Sequence, residues 1–460
     1  MLKNFPLFSE IQETLHWLIK IEEFSQAREL ALVAKRYMPQ DHPLTTDFMA
    51  KILHKTKHYK EAVEWALKTV ALAPDQLEAR YNLASCLNSA GQVARAEKEI
   101  KRVVEAQPDW LDPQLNLAMY ICAQGRFDES EQLILNMQKR YPPNDVHQDV
   151  IKFNLAWHSL RRGDLKEGMA ALMVGRKFKK FGAANATFPK PKVFKGLPLS
   201  GKKVLIVGEA GAGDEMINAR YAQILKARGA NCIWSTGHKL EGLLSRVDGI
   251  EDVITSTKIS QISYDYWAPS MDLFTLLDLD LKDLPVRAYL SANPKFVKKW
   301  RAKIKASKHL KVGLRWQGNP LYEQDLPRSV PFELFRKFFQ MAKTDFYGLQ
   351  RDSGLEEISA SDPIIDLAKE LETWEDTAAA ISLLDVVVTS CTSIAHLAGA
   401  LGKKVLLFTP TISYYTWTMP GEKSLWYPDV KLFRQKQFHS WVQESDEIFQ
   451  ELQELQRMQK

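Results

Sequence analysis

Three short stretches hold residues whose types and spacing suit chemistry. In GEAGAGDE (208–215), Gly208, Gly211 and Gly213 allow a sharp turn and leave room above a strand end, and Asp214 places a carboxylate there. Such a carboxylate either takes a proton from a reacting group or caps the helix that follows. In GLRWQGNPLYEQDLPRSVP (313–331), Arg315 and Arg328 offer forked contacts to phosphate, unless they are simply solvated, and Asn319 lies in the same polar loop. In VVTSCTSIAHLAGALGKKVLLF (387–408), five small residues, Thr389 to Ser393, stand where an apolar strand gives way to a helix. The hydroxyls of Thr392 and Ser393 are placed to cap that helix. The same free amides, with the positive end of the helix dipole, suit an anion. His396, four residues after Thr392, falls on the same face and reads either as a further donor or as a buried core histidine.

Other patterns argue against competing chemistries. The turn spacing is G-x-x-G-x-G rather than G-x-G-x-x-G, and the second strand ends in IWSTGH without an acid, which speaks against a dinucleotide-dependent dehydrogenase. The triplet Asp278-Leu279-Asp280 lies in an acidic segment and not at the end of a β-branched strand, so no metal is expected. The aromatic cluster Tyr414 to Trp417, with Trp426 and Tyr427, either stacks on a base or sugar face or packs a C-terminal excursion.

The elements that must position these residues follow from periodicity. From residue 203 onwards, short apolar strands alternate with helical segments, the pattern of parallel sheets covered on both faces. A new first strand near Lys311 predicts two doubly wound lobes, with ligands at the carboxyl ends of strands. The first third repeats instead. LEARYNLASCLNSAGQVARAEKEIKRVVEAQPDW (77–110) sets small residues at Ala84 and Ala96, a turn glycine at Gly91 and a closing proline at Pro108. Equivalent places hold Ala50, Tyr59, Ala62 and Pro74 one period earlier, and Ala118, Gly125, Phe127, Ser130 and Pro142 one period later. A slipped first copy carries Phe24, Ala27, Ala31, Ala34 and Pro39; a looser last one carries Leu155, Ala156, Gly163 and Leu165. These copies resemble tetratricopeptide repeats, whose paired helices stack because no single pair buries its own apolar face.

Composition sets the outer limits. At 45% hydrophobic and 26% charged, the 460-residue chain is globular and long enough for about three units. No basic opening segment precedes an apolar core, and no run of about 18 apolar residues occurs, so neither a secretory signal nor a membrane span is expected. Four scattered cysteines without a C-x-x-C pair fit a reducing cytoplasm. The net charge of +6 is concentrated at 176–203, where nine Lys or Arg meet no acid. The remainder is near neutral, which argues against nucleic-acid binding; the basic stretch reads as a solvated linker or as a contact for an anionic membrane or acceptor.

From about 202 to 435 the chain resembles the ADP-heptose–lipopolysaccharide heptosyltransferase family, in the branch fused to tetratricopeptide repeats. GEAGAGDEMINARY, LPVRAYLSANP, VGLRWQGNP with RSVP, FYGLQ, EDTAAAISLLDVVVTSCTSIAHLAGALGKKV and WYPDVKLFRQ carry the resemblance, over roughly half the chain. It implies an α + α/β chain, a repeat superhelix followed by a GT-B fold of two Rossmann-like lobes. The implied boundaries are repeats at 1–175, a basic linker at 176–202, an acceptor-side lobe at 203–305, a donor-binding lobe at 306–435 and a C-terminal helix at 436–460. The implied activity is metal-independent, inverting transfer of a sugar from a nucleotide-sugar substrate, with no cofactor, in a bacterial cytoplasm. The acceptor is a protein or a glycan of lipopolysaccharide type, recruited by the repeats. On this resemblance Asp214 is the general base, while Arg328, Thr392, Ser393 and His396, with Arg315, Asn319 and Gln350, hold the donor. One position departs from the family pattern: Cys391 stands where an aspartate usually precedes the threonine. A repeat scaffold with an inert transferase-like half is the alternative.

Overall fold

The computed structural model describes residues 10–458 except 12, 16, 19–20, 22, 36–41, 179–187, 189–190, 194–195, 321, 323–324, 352 and 439. The chain divides into two compact units, 1–137 and 138–460.

The first unit is built from α1 (Phe24–Lys35), α2 (Pro43–Lys55), α3 (Tyr59–Leu72), α4 (Leu77–Ser89), α5 (Val93–Ala106), α6 (Leu111–Ala123) and α7 (Phe127–Arg140). Both α2, α4, α6 and α3, α5, α7 begin at intervals of 34 residues, the period of the sequence. The small-residue positions lie where helices touch: Ala27, Ala31, Ala50, Ala62, Ala84, Ala96, Ala118 and Ser130 are all buried. Pro39, the closing proline of the slipped copy, lies outside the described residues. Side-chain bonds step from copy to copy, with Asn82 Nδ2 donating to Asp47 Oδ1 (2.8 Å) and Asn116 Nδ2 to the Tyr81 hydroxyl (3.2 Å). Gly91 and Gly125 turn between paired helices at φ +79° and +80°. Lys57 fills the same position in the preceding copy and is forced to φ +64°, so packing imposes the turn even where no glycine eases it.

In the second unit, α8 (His147–Arg162) and α9 (Leu165–Met173) form a further hairpin, with Gly163 at φ +92° between them. By sequence this hairpin belongs with the repeats, inside the 1–175 segment. It packs on the sheet lobe: Leu160, Leu165, Met169 and Leu172 join Val204, Met216 and Phe274 in one apolar cluster. The α/β half covers the face that a following repeat would otherwise cover.

Two parallel sheets follow. The first contains β1 (Lys203–Val207), β2 (Asn231–Thr236), β3 (Ile250–Thr255) and β4 (Tyr266–Pro269) in the order β3-β2-β1-β4. The second contains β5 (Leu310–Arg315), β6 (Thr344–Gly348), β7 (Ile364–Asp366), β8 (Val386–Ser390), β9 (Lys404–Thr409) and β10 (Val430–Arg434) in the order β10-β9-β8-β5-β6-β7. Every strand pair is parallel, and the central strands are covered on both faces; β8 is buried throughout. These are the two Rossmann-like lobes expected. Helices α10 (Ala212–Ala219) and α11 (Tyr221–Ala227) follow β1, α12 (Pro294–Trp300) and α13 (Trp374–Ser382) meet between the lobes, α14 (Ser393–Ala400) follows β8, and α15 (Val442–Met458) ends the chain. The stretch after Pro331 is wound as 3-10 turns over Phe332–Gln340.

The lobes share a core. Asp376 of α13 accepts from Trp300 Nε1 (3.0 Å) and Lys299 Nζ (2.8 Å), and Arg246 forks onto Glu375. Arg220, fully buried where α10 gives way to α11, donates to the carbonyls of Ile217 and Trp426 (both 2.9 Å) and to the Tyr289 hydroxyl (3.1 Å). Among the described residues, no helix is long and apolar enough to cross a membrane.

The turn geometry of the repeats gives a test with opposite signs. In chemical unfolding, Gly91→Ala should destabilise the repeat unit by about 1 kcal/mol, because it puts a side chain into the left-handed region. Lys57→Gly should stabilise it by a fraction of that, since glycine also frees the unfolded chain. Shifts of the same sign would show that backbone conformation is not what the glycine serves.

Candidate active site

The strand order of the second sheet reverses between β5 and β8, and an open α/β sheet leaves its crevice at such a point. The start of α14 lies at the end of β8. Thr392 precedes the helix in extended conformation (φ −134°, ψ 175°), but its side chain makes no capping bond and instead meets the Thr389 hydroxyl at 3.4 Å. The Ala395 N–H is satisfied by the Thr392 carbonyl; those of Ser393 and Ile394 find no acceptor among the described residues. Uncapped amides at the positive end of a helix form an anion site.

Arg328 comes to this point from the loop after β5. Its Nη1 donates to the Cys391 carbonyl (3.1 Å), its Nε to Asp325 (2.9 Å), and its guanidinium lies 4.5 Å over the Tyr322 ring. Nη2 reaches over Gly318, where an added Cβ would stand 2.4 Å from it. The other candidates from these loops are used in holding the loops together. Arg315 is buried and donates to the Leu349 carbonyl (3.0 Å). Gln350 accepts from the Trp316 and Gln317 amides (3.3 and 3.1 Å) and donates to the Ser353 carbonyl (2.6 Å). Asn319 is exposed, and its carbonyl accepts from the Tyr322 amide (3.0 Å).

His396 departs from the expectation of a donor on the open face. The covering aromatic residues claim its side: the ring stacks on Trp417 at 4.9 Å and 14°, with the Tyr427 hydroxyl 3.4 Å from Nδ1. Burial, with the Arg220 charge beside it, holds its pKa down at about 3, so the imidazole is neutral. The aromatic cluster is packing as well, since Tyr415, Trp417, Trp426 and Tyr427 are all buried.

The first lobe supplies the facing wall. After β1 the chain turns through residues 208–211 into α10. Gly208 is required because a Cβ there would stand 2.3 Å from the Glu215 carboxylate and 2.7 Å from the Ser235 carbonyl. Asp214, in the first turn of α10, accepts from the Gly211 amide on Oδ2 (2.8 Å) and from the Tyr414 hydroxyl on Oδ1. Burial raises the pKa of this carboxyl, while the Tyr414 hydroxyl, the Gly211 amide and His238 pull the other way. Gly213 meets α14 directly: a Cβ on it would stand 3.2 Å from Ser393 Cα. Asp214, Thr392, Ser393 and Arg328 are thus brought together. Arg315, Asn319 and Gln350 serve the loops, and His396 serves the core.

Cys391 is buried among these groups. Burial pushes its thiol pKa up, and Asp214 adds to that while Arg328 opposes it. The Asp-x-Asp carboxylates are occupied elsewhere: Asp280 caps the turn at Leu281 (2.7 Å), and Asp278 lies 3.5 Å from Lys166. Part of the basic stretch is likewise neutralised, with Lys177 on Asp149 and both Arg176 and Lys192 on Asp272. Sequence reasoning missed Glu209, Asp272 and the Tyr414 hydroxyl, whose partners lie far along the chain and leave no local spacing to detect.

A model of the tetratricopeptide repeat matches residues 53–119. Protein FlbA of Caulobacter vibrioides is similar at 24% identity, across 92% of this chain and 80% of that protein. Among solved structures, E. coli ADP-heptose lps heptosyltransferase II is similar over 56% of this chain and 99% of its own, at 14% identity and a TM-score of 0.41. The K341M mutant of Thermobaculum terrenum O-GlcNAc transferase is similar over 98% and 92%, at 12% identity and a TM-score of 0.42.

The neutral His396 predicts a pH dependence. Its folded pKa of about 3 lies below the ordinary value of 6.5, so the unfolded chain binds the proton first as pH falls. Stability contributed by this group is complete above pH 6.5 and is lost progressively towards pH 3, at up to about 1.4 kcal/mol per pH unit. His396→Phe, which keeps a ring in the stack, should flatten that decline in urea unfolding series. An unchanged decline would place the protonation elsewhere.

Proposed function

We propose that the α/β half is an inverting, metal-independent glycosyltransferase acting on a nucleotide-sugar donor. One observation carries the reading: Gly213, the neighbour of Asp214 in the first lobe, packs on the uncapped start of α14 at the crevice of the second. The resemblance of the motifs to heptosyltransferases adds the reaction class. In this mechanism the acceptor hydroxyl oxygen attacks the anomeric carbon as its bond to the diphosphate oxygen breaks. The hydroxyl proton passes to Asp214. The negative charge gathering on the leaving nucleoside diphosphate is met by the Ser393 and Ile394 amides, the Thr392 hydroxyl and Arg328. A carboxyl raised by burial is a stronger base than a solvated one, provided Tyr414 withdraws its hydroxyl. The acceptor, a protein or a glycan, is delivered by the tetratricopeptide repeats, and the protein works in the cytoplasm.

A second reading has one observation in its favour. Both oxygens of Asp214 are engaged by the chain itself, as they would be in an inert scaffold that retains the fold.

Two measurements separate these readings. A panel of ADP-, UDP-, GDP- and CMP-linked sugars should contain one class that raises the melting temperature, because a ligand of the folded state stabilises it by mass action. Asp214→Asn should keep that shift while turnover falls by about 10²–10⁴. No shift from any class would favour the scaffold, and full turnover in the variant would remove Asp214 from the chemistry.

A further inference from the structure

The first sheet has its own switch point, between β1 and β4, and the chain fills the crevice there itself. Glu209 follows β1 and Asp272 follows β4, and both are buried. Arg176 enters from the 3-10 turn Val174–Phe178 that ends the α8–α9 hairpin. Its Nε donates to Asp272 Oδ1 (2.7 Å), its Nη1 to Glu209 Oε2 (2.9 Å) and its Nη2 to Glu209 Oε1. Lys192 takes the second Asp272 oxygen (2.5 Å), which balances two carboxylates with two cations.

Glu209 belongs to the turn that delivers Asp214, and each residue of that turn is held by a different partner. The Gly208 amide donates to the Ser235 carbonyl (2.7 Å). The carbonyl of Ala210, at φ +61°, accepts from His238 Nε2 (2.8 Å). The Gly211 amide is bound by Asp214 (2.8 Å). The geometry points to Arg176 as a positioning residue: through its fork on Glu209, the end of the repeat-like hairpin fixes the 208–211 turn and with it the placement of Asp214. The functional half of this inference rests on the reading of Asp214 as the base.

Docking alone does not account for the arrangement. The hairpin is already anchored by Leu160, Leu165 and Leu172 in the shared core. An apolar pair would seal the crevice as well as buried ions do. What a guanidinium adds is orientation, since two parallel bonds fix the plane of the Glu209 carboxylate. Lysine keeps the charge but cannot make that fork.

Hydrogen–deuterium exchange on the full-length chain tests this without any substrate. In Arg176→Lys, and separately in Glu209→Gln, amides of the 208–214 peptide should exchange at least about tenfold faster, while α8, α9 and β1 keep their protection. Two outcomes would overturn the inference: a turn as protected as in the unaltered protein, or an equal rise throughout α8, α9 and β1, which marks a merely structural ion pair. Where an active donor is in hand, Arg176→Lys should lower kcat about tenfold or more with the donor KM unchanged. Turnover of Asp214→Asn reports on the base separately, so the failure of one claim is distinguishable from the failure of the other.

Discussion

The α/β half depends on one close approach, that of Gly213 to Ser393. Two helix starts from different lobes meet where any side chain at 213 would crowd the Ser393 backbone and the His396 ring. Everything beside that contact is dragged into the interior with it. His396 is turned under the aromatic residues of the 414–427 excursion, and Arg220, at the other end of α10, is carried beneath Tyr289, Trp426 and Tyr427. Among the described residues Arg220 has no carboxylate partner; carbonyl oxygens and ring faces meet its charge. A guanidinium tolerates this because it is weakly hydrated and planar, where an ammonium is not. The result is a pair of lobes that share one apolar cluster across their contact.

What could be read from the residues follows from how far apart the interacting partners lie in the chain. The repeat period is a local property, repeated often enough to fix helix starts at 34-residue intervals, and even the left-handed turn was legible at Gly91 and Gly125. The alternation of strands with helices predicted parallel sheets, and the small residues of 389–393 marked the crevice end of β8. The side of a helix is harder to read. Spacing alone puts His396 on the face of Thr392, yet the first lobe and the aromatic excursion decide which part of that face meets water. The last repeat-like hairpin shows the same limit. Its sequence keeps the repeat pattern, and only tertiary packing reveals that the sheet lobe is its neighbour. Ion pairs such as Arg176 with Glu209 join partners 33 residues apart and have no period at all.

Charge inside this half is arranged in closed sets. Glu209 and Asp272 are matched by Arg176 and Lys192, Asp376 by Lys299, and Glu375 by Arg246. Asp214 stands outside these sets, as Arg220 does, since hydroxyl and amide donors hold it rather than a cation in contact. The departure at Cys391 is intelligible against that background. A carboxylate there would lie close enough to feel Asp214 and would raise its pKa further, as like charges do at short range. A buried thiol adds no second carboxylate beside Asp214.

On the proposed reading, the two ends of the site are unequally prepared, and that sets an order of events. Among the described residues, the Ser393 and Ile394 amides have no hydrogen-bond acceptor to give up to an anion. Asp214 must first lose the Tyr414 hydroxyl before it can take a proton. Tyr414 belongs to the excursion of the second lobe, the same lobe that offers the anion site, whereas Asp214 belongs to the first. The bond from Tyr414 to Asp214 is thus one of the contacts that join the lobes. A base kept occupied until that contact breaks is also kept from activating water, so the donor is spared hydrolysis while the acceptor is absent.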